Sequence, residues 1–321
     1  MEQEETYTEK KGPIFIVGMA RSGTTLLRSI LNSHPNIAIP RETTFFYLLE
    51  EYFKKNKINS YSKNEIEKFW NWYSEKRRFT YLGLNKDEVK KNINVTRDVN
   101  GFKNVFNSVM NTYKNNNKKS RWGEKSPGHE EYLDKIFEFY PNAKILFMIR
   151  DPRAIYSSMN NVPWNNQFVS VIIKRWNNSL RDYYGYKEDK RIKMITYEEL
   201  VTNTRTSVES ICNFIGENFE ERMLNDRRKN TLTNTNDGWT TKYEKEVTRQ
   251  VDNSSIEKWK NSINKIEIAA IEKYSNQLFF SKYYNKSNAK MNVTDSVKYQ
   301  YLKIRYYAKS FLKKNEKSFK K

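Results

Sequence analysis

Residues Ile14 to Thr25 read IFIVGMARSGTT: a short apolar run, then Gly18, four residues, Gly23 and a pair of threonines. The pattern predicts a strand, a loop that wraps an anion with its backbone N–H groups, and a helix whose positive N-terminus favours the same anion. A P-loop that binds nucleoside triphosphates has Lys after its second glycine, whereas this chain has Thr24 there and Arg21 inside the loop. We therefore expect phosphate binding without the groups that transfer a γ-phosphate.

A second anion site is predicted at residues Phe147 to Ser158, which read FMIRDPRAIYSS. The apolar run predicts a strand that ends at Arg150, and Pro152 suits the first turn of a helix that carries Ser158. Ligands of open parallel sheets bind beyond the carboxyl ends of the strands, so the two segments could face one nucleotide. A salt bridge at the sheet edge is the alternative for Arg150, and a surface charge is the alternative for Arg153.

A third segment, GEKSP at Gly123 to Pro127, completes a pattern that resembles the PAPS-dependent sulfotransferase superfamily. The order and spacing of the motifs are similar to that family from about Pro13 to Trp259, with a layout closest to tyrosylprotein and carbohydrate sulfotransferases. The resemblance implies 3′-phosphoadenosine 5′-phosphosulfate (PAPS) as sulfuryl donor, 3′-phosphoadenosine 5′-phosphate (PAP) as product, and no metal. One cysteine and two histidines also disfavour a zinc site of the usual ligands.

The same resemblance assigns the donor-binding residues. The loop after the first strand would hold the 5′-phosphosulfate, and Arg150 with Ser158 would hold the 3′-phosphate. Tyr197, in the segment YEEL, would lie near the adenine, with a half-buried tyrosine at a helix start as the alternative. Lys258, in SIEKWK, is preferred over Lys260 as the cation that covers the 3′-phosphate. The loop residues are Arg21, Ser22, Gly23, Thr24 and Thr25.

Transfer of a sulfuryl group to a hydroxyl or amine needs a base for the acceptor's proton and cations for the charge that develops on the leaving group. By resemblance, Glu42 in PRET is the base, and Arg21 and Lys125 steady the leaving bisphosphate. His129 is the second candidate base, because related cytosolic enzymes place a histidine just after the equivalent lysine. Tyrosylprotein enzymes carry an arginine where this chain has Thr44, so a carbohydrate, lipid or small alcohol is favoured as acceptor over a peptide tyrosine.

The elements that must position these residues alternate along the chain. Apolar β-type runs separated by helix-period segments predict an α/β fold, with a central parallel sheet flanked by helices in a P-loop-like sulfotransferase arrangement. We expect one sulfotransferase domain over residues 13–285, after a disordered N-terminus at residues 1–12. The predicted strands are Ile14–Gly18, Ile37–Ile39, Arg121–Gly123, Lys144–Ile149 and Arg191–Ile195.

Residues 54–117 carry few strand signals and many charges, which predicts a helical insertion that borders the acceptor cleft. Its Trp70, Trp72 and Tyr73 are interpreted as core residues, with a lining of the cleft as the alternative. Residues 160–169, which include Trp164, are also expected to shape the cleft.

The chain is strongly basic, with a formal net charge of +20 that favours polyanions or anionic membrane surfaces as partners. Residues 286–321 hold eleven basic and two acidic residues and so supply +9 of that charge. Apolar residues recur there at helix spacing, which predicts a basic amphipathic helix. Packing of its stripe on the chain itself or on a partner is favoured over membrane contact. The stripe consists of Val297, Tyr301, Ile304, Ala308 and Phe311.

Cys212 is the only cysteine, which excludes an intramolecular disulfide, and its apolar surroundings in the sequence suggest a core position. The polar N-terminus and the lack of a long apolar run predict a cytoplasmic protein, with peripheral membrane contact as an addition. No sequence-specific nucleic-acid partner is expected. Two rival functions are a small-molecule P-loop kinase, which the missing lysine disfavours, and a non-catalytic nucleotide- or polyanion-binding protein, which the charge would fit.

Overall fold

The computed structural model describes Thr8, residues 11–58, 62–94, 100–160 and 167–225, Asn253, and residues 255–319, with side chains as far as Ala308. Trp164 and most of the predicted disordered N-terminus lie outside the described residues. The chain forms two compact units, and the predicted domain of residues 13–285 spans parts of both. The first unit comprises Met1–Ile149 and Tyr186–Asp252, and the second comprises Arg150–Gly185 and Asn253–Lys321.

All described strands belong to the first unit. They are β1 (Ile14–Val17), β2 (Ile37–Ala38), β3 (Arg121–Lys125), β4 (Lys144–Ile149) and β5 (Ile192–Thr196). The strands pair in parallel in the order β2-β3-β1-β4-β5. The predicted parallel sheet is therefore confirmed. The largest boundary difference is at β3, which continues past Gly123 to Lys125.

The central strand, β1, determines the position of the loop at residues 18–23. We call it the donor loop because the sequence predicts that it binds the sulfuryl donor. Ile14 pairs with Gly123 of β3 on one side and with Lys144 of β4 on the other. All four side chains of β1 are buried, as is typical of a parallel strand covered by helices on both faces. Strands β2 and β3 lie on one side of β1, and β4 and β5 lie on the other, so the strand order changes direction at β1. The carboxyl ends of β1, β3 and β4 therefore lie together at a topological switch point, where ligands of such sheets bind.

Helices lie between the strands and continue after the last one, and several of them are short. In chain order they are α1 (Thr24–Asn32), α2 (Phe45–Asn56), α3 (Lys63–Ser74), α4 (Arg77–Thr80), α5 (Lys86–Lys91), α6 (Asn100–Asn116), α7 (Leu133–Phe139), α8 (Pro152–Asn160), α9 (Val169–Gly185), α10 (Tyr197–Thr202), α11 (Thr204–Ile215), α12 (Arg222–Asn225), α13 (Trp259–Ser262), α14 (Lys265–Tyr274), α15 (Gln277–Tyr283) and α16 (Val293–Phe319). A 3₁₀ turn at His129–Tyr132 precedes α7.

The predicted helical insertion is formed by the end of α2 and by α3 to α6. Local sequence starts these helices: the Ser62 hydroxyl accepts the backbone N–H of Glu65, 3.2 Å away, and so caps the N-terminus of α3. Trp70 and Tyr73 of α3 are buried, and Trp72 is half-buried. The interpretation of Trp70 and Tyr73 as core residues is therefore correct.

Helices α1 and α11 bury their apolar faces in a cluster that covers β1 and β4. Cys212 lies in this cluster, where burial raises the pKa of its thiol to about 12. A thiol of that pKa is protonated and unreactive at neutral pH, as expected of a core residue. Among the described residues, no helix combines the length and the apolar character needed to cross a membrane.

The second unit is organised around Arg153, which is buried rather than exposed at the surface as one sequence alternative had it. Its guanidinium lies 2.6 Å from both Asp151 and Glu272 and 3.9 Å from the ring centre of Trp259. Asp151 also accepts the backbone N–H of Arg153 and so caps α8, with Pro152 in the first turn. These contacts tie α8 to α13 and α14.

Candidate active site

The loop after β1 is shaped by two glycines in the left-handed region of backbone space. Gly18 has φ +130° and Gly23 has φ +91°. A Cβ at Gly18 would lie 2.2 Å from the carbonyl oxygen of Met148, and a Cβ at Gly23 would lie 2.4 Å from the ring of Tyr197. The sequence pattern predicts these glycines from a loop that wraps an anion. The structure adds a second reason, because Met148 and Tyr197 leave no room for a side chain at either position.

The side chains of the loop offer polar groups at the start of α1. Ser22 is buried, and its hydroxyl has no hydrogen-bond partner among the described residues. Buried hydroxyls without partners are uncommon, so this one suits a ligand that accepts a hydrogen bond. Arg21 is half-buried and has φ +74°, a backbone conformation that costs free energy for a residue with a side chain. Thr24 is buried and Thr25 half-buried in the first turn of the helix. The loop therefore fits an oxyanion.

Tyr197 is the first residue of α10 and is half-buried. The helix starts there because the Thr196 hydroxyl accepts the backbone N–H of Glu199 as an N-cap. The tyrosine ring covers Gly23. The structure thus places this aromatic residue against the donor loop, and its position near an adenine stays a prediction.

Glu130 accepts a backbone hydrogen bond from the start of the donor loop. Its carboxylate is buried and accepts the backbone N–H of Gly18 at 3.1 Å and that of Gly128 at 2.8 Å. Burial raises the pKa of this carboxyl, although the backbone N–H groups oppose the shift. Glu130 thereby joins the loop after β1 to the segment after β3.

Lys125, the last residue of β3, brings two predicted site residues together. Its buried ammonium lies 2.8 Å from Oε1 of Glu42 and 3.4 Å from the hydroxyl of Thr25. Arg78 of α4 lies 3.0 Å from the other carboxylate oxygen of Glu42. The Glu42 side chain keeps 25% of its surface exposed and that of Arg78 keeps 46%, so the cluster opens to solvent on this side.

The charges around Glu42 set its protonation. Burial raises the pKa of the Glu42 carboxyl, but the nearby charges of Lys125 and Arg78 lower it more, and the result is about 2. Burial also lowers the pKa of Lys125, an effect that Glu42 opposes. At neutral pH Glu42 is therefore ionised and able to accept a proton, while its ion pairs restrain its basicity.

His129, the second candidate base, lies in a different environment. Its Nδ1 is 3.0 Å from the buried carboxylate of Glu124, and its ring packs edge-on against Phe46 with 5.4 Å between ring centres. Glu124 also accepts hydrogen bonds from the hydroxyls of Thr43 and Ser126. Burial raises the pKa of Glu124, but His129 and these hydroxyls lower it more. The histidine side chain is only 2% exposed, so an acceptor has far less access to it than to Glu42, which is 25% exposed.

The predicted 3′-phosphate residues all lie in the second unit. Arg150 is buried, and its guanidinium donates to the carbonyl of Ser255, 2.9 Å away, in the turn that leads to Lys258. Ser158 is half-buried on α8. Lys258 is exposed at the start of α13, whereas Lys260 forms an ion pair with Glu257. The structure thus brings Arg150 beside the turn that carries Lys258.

Residues 13–221 match a protein-family model described as "Sulfotransferase family". This chain belongs to the sulfotransferase family. As a member of this family it is an enzyme that transfers a sulfate group, and the matched region contains every described strand and the loop after β1.

Individual relatives agree with this assignment. The chain is 24% identical to "Protein-tyrosine sulfotransferase" of Drosophila melanogaster over 237 residues, which cover 68% of this chain and 41% of that protein. It is 28% identical to "3-beta-hydroxysteroid sulfotransferase" of Cavia porcellus over 103 residues, 27% of this chain and 36% of that protein. The chain thus spans less than half the length of either relative.

A solved structure, the "Sulfotransferase Domain from the Curacin Biosynthetic Pathway", has the same fold with a TM-score of 0.55. The match covers 86% of this sulfotransferase and 99% of that domain at 21% identity. At this level of identity the likeness establishes the fold.

Three residues of the candidate site were not predicted from the sequence. Arg78 comes from the helical insertion, so no local motif could indicate its contact with Glu42. Arg28, on α1, is buried and donates to the carbonyl of Ile39, which leads into the segment of Glu42. Its position four residues after Thr24 places it one helical turn further along α1 and is the signal that could have indicated it. For Glu130, the only indication in the sequence is that it lies three residues after the segment GEKSP.

Proposed function

We propose that this sulfotransferase moves a sulfuryl group from PAPS to an acceptor hydroxyl, with Glu42 as general base. In this reaction the acceptor oxygen forms a bond to sulfur while the bond between sulfur and the bridging phosphate oxygen breaks. The acceptor proton passes to the Glu42 carboxylate, and the electron pair of the broken bond leaves on PAP. The protein contributes mainly positioning and charge.

The donor assignment is supported by the loop itself. An unpartnered buried hydroxyl at Ser22, the arginine at position 21 and the N-terminus of α1 all favour a bound oxyanion at one place. Arg21, Ser22, Gly23, Thr24 and Thr25 would hold the 5′-phosphosulfate, and Tyr197 would contact the nucleoside. No step of the proposed reaction needs a metal.

Arg150, Ser158 and Lys258 are proposed to bind the 3′-phosphate of the same nucleotide. Support comes from the buried Arg150 and from its hydrogen bond to the turn before Lys258. Lys258 is preferred to Lys260 because Glu257 already pairs with Lys260.

A single observation carries the proposal for the base: Glu42 lies in contact with Lys125, which in turn reaches the first turn of the donor-loop helix at Thr25. One lysine can therefore serve either Glu42 or the leaving group. When the donor is bound, movement of the Lys125 ammonium from Glu42 to the bridging oxygen would remove one of the charges that lower the pKa of Glu42. The base would then become stronger at the stage where it is needed.

The acceptor is proposed to be a hydroxyl of a carbohydrate, lipid or small alcohol. The relatives' names include both protein tyrosine and a hydroxysteroid, so similarity alone does not choose among acceptors. Where tyrosylprotein enzymes carry an arginine, this chain has the uncharged Thr44, which disfavours a peptide tyrosine as acceptor. Arg78 approaches Glu42 from another element and supplies a half-exposed cation on the acceptor side.

The test is transfer of ³⁵S from labelled PAPS by the purified full chain to a panel of sugars, glycolipids, simple alcohols and tyrosine peptides. We expect label in at least one hydroxyl acceptor without added metal, and none with ATP and Mg²⁺ as the donor. Absence of transfer to every class, with PAP still bound, would contradict the proposal and favour a non-catalytic nucleotide-binding protein.

A further inference from the structure

The C-terminal helix α16 packs on the second unit through one face. Tyr299 is buried, and its ring stacks on Tyr274 with 5.7 Å between ring centres. Tyr299 and Tyr306 also flank Phe168, with ring centres 5.6 and 5.9 Å away. This contact face differs from the stripe that the sequence pattern indicates.

Three residues of the predicted stripe, Val297, Tyr301 and Ile304, point away from this contact face, and Val293 extends their row by one turn. Val293, Val297, Tyr301 and Ile304 are 82%, 64%, 61% and 68% exposed. Their spacing of three and four residues places them in one row along the helix, about 17 Å long at 1.5 Å per residue. The sequence favoured packing of the stripe on the chain itself or on a partner. Its exposed residues do not pack on the described part of the chain, and a partner stays a prediction.

Basic residues accompany the exposed row. Lys298 and Arg305 are exposed on the flank between the row and the contact face, seven residues apart and thus on the same side of the helix. The whole segment of residues 286–321 carries +9, from eleven basic and two acidic residues. An apolar row with basic flanks is the pattern of helices that lie in the interface of an anionic bilayer.

We propose that α16 docks this sulfotransferase on an anionic lipid surface, with the row of Val293, Val297, Tyr301 and Ile304 in the acyl boundary. A second copy of the chain is a poor occupant, because two tails of +9 would repel each other. A soluble polyanion would match the charge but leave the apolar row in water. The convex face of a helix enters a lipid interface directly, whereas a protein partner would have to supply a matching groove.

The test is co-sedimentation of the full chain with large vesicles of phosphatidylcholine, with and without about 30% phosphatidylserine. We expect binding to the anionic vesicles at low salt, about tenfold weaker binding to neutral vesicles, and release by 0.5 M salt. Equal binding to both vesicle types, or no sedimentation with either, would overturn the proposal.

A pair of variants separates the row from general charge. Val297→Glu with Ile304→Glu should weaken anionic-vesicle binding about tenfold or more, because two apolar side chains leave the interface and two negative charges enter. Leu278→Glu is the matched control, since Leu278 is an apolar residue on α15 that is 85% exposed and lies outside α16. The control should bind like the wild type. Equal losses in both variants, or retention on heparin with no vesicle binding, would overturn the lipid assignment.

Discussion

Two ion pairs flank the carboxyl end of β3 with residue types that could do acid–base chemistry, yet their surroundings differ. Lys125 pairs with Glu42, whose side chain is 25% exposed, whereas His129 pairs with Glu124 in a site where both side chains are at most 2% exposed. The first pair reaches Thr25 at the start of the donor-loop helix. The second is enclosed by hydroxyls and an aromatic ring.

The difference shows which pair can change partners. Ions that keep some exposure can exchange one partner for a substrate at modest cost, but a fully buried charge that loses its partner is strongly destabilising. The open pair is therefore suited to chemistry. The closed pair is suited to holding Thr43 and Ser126 in place, and with them the segments that directly follow Glu42 and Lys125.

Removal of the base should have the largest effect. We expect Glu42→Ala to lower turnover about 100-fold to 10,000-fold, the usual contribution of a positioned base. PAP affinity by calorimetry should stay near the wild-type value, because Glu42 does not hold the donor. Turnover close to wild type in this variant would remove Glu42 from the mechanism.

Loss of the shared cation comes next. Lys125→Ala should reduce turnover about 100-fold, since charge on the leaving group is no longer neutralised, and it should also raise the pKa of Glu42. Lys135→Ala is the control, because Lys135 is a partly exposed lysine paired with Glu138 on α7. Single-turnover rates with labelled PAPS would measure both. Matching losses in the two variants would mean that Lys125 has no special role.

The closed pair should respond in stability instead. His129→Asn leaves the charge of Glu124 without its main partner, which costs about 3–5 kcal/mol for a buried ion pair. We expect a Tm several degrees lower, with turnover per folded molecule, measured at low temperature, within about tenfold of wild type. An unchanged Tm together with lost turnover would instead identify His129 as the base.

The pH dependence should be the smallest effect and the sharpest distinction. With a pKa of about 2 in the folded state and 4.5 as the ordinary value, Glu42 stabilises the fold above pH 4.5, and this contribution is lost as pH falls towards 2. For the same reason kcat/KM should stay level from about pH 8 to pH 5, because Glu42 is ionised throughout that range. A fall of kcat/KM near pH 6.5 would speak against Glu42.

The sequence predicted those parts of the fold and site that depend on local pattern. Apolar β-type runs indicated the five described strands, and the spacing of Gly18, Gly23 and the threonines indicated the loop. What it missed depends on contacts between distant segments: Arg78 reaches Glu42 from the insertion, and Glu130 reaches Gly18 across 112 residues. Helix periodicity gave the apolar row of α16 correctly but could not show which face packs, since Tyr299 competes with that row for burial.

The proposal with most consequences is that the loop after β1 binds the 5′-phosphate of an adenosine bisphosphate and that Arg150 binds its 3′-phosphate. Calorimetry with PAP and with 5′-AMP, which lacks the 3′-phosphate, tests it in the wild type, Arg21→Ala and Arg150→Ala. We expect Arg21→Ala to weaken the binding of both ligands, and Arg150→Ala to weaken PAP binding about tenfold to 100-fold while leaving 5′-AMP binding within about twofold. Equal effects of Arg150→Ala on the two ligands, or none on PAP, would contradict it.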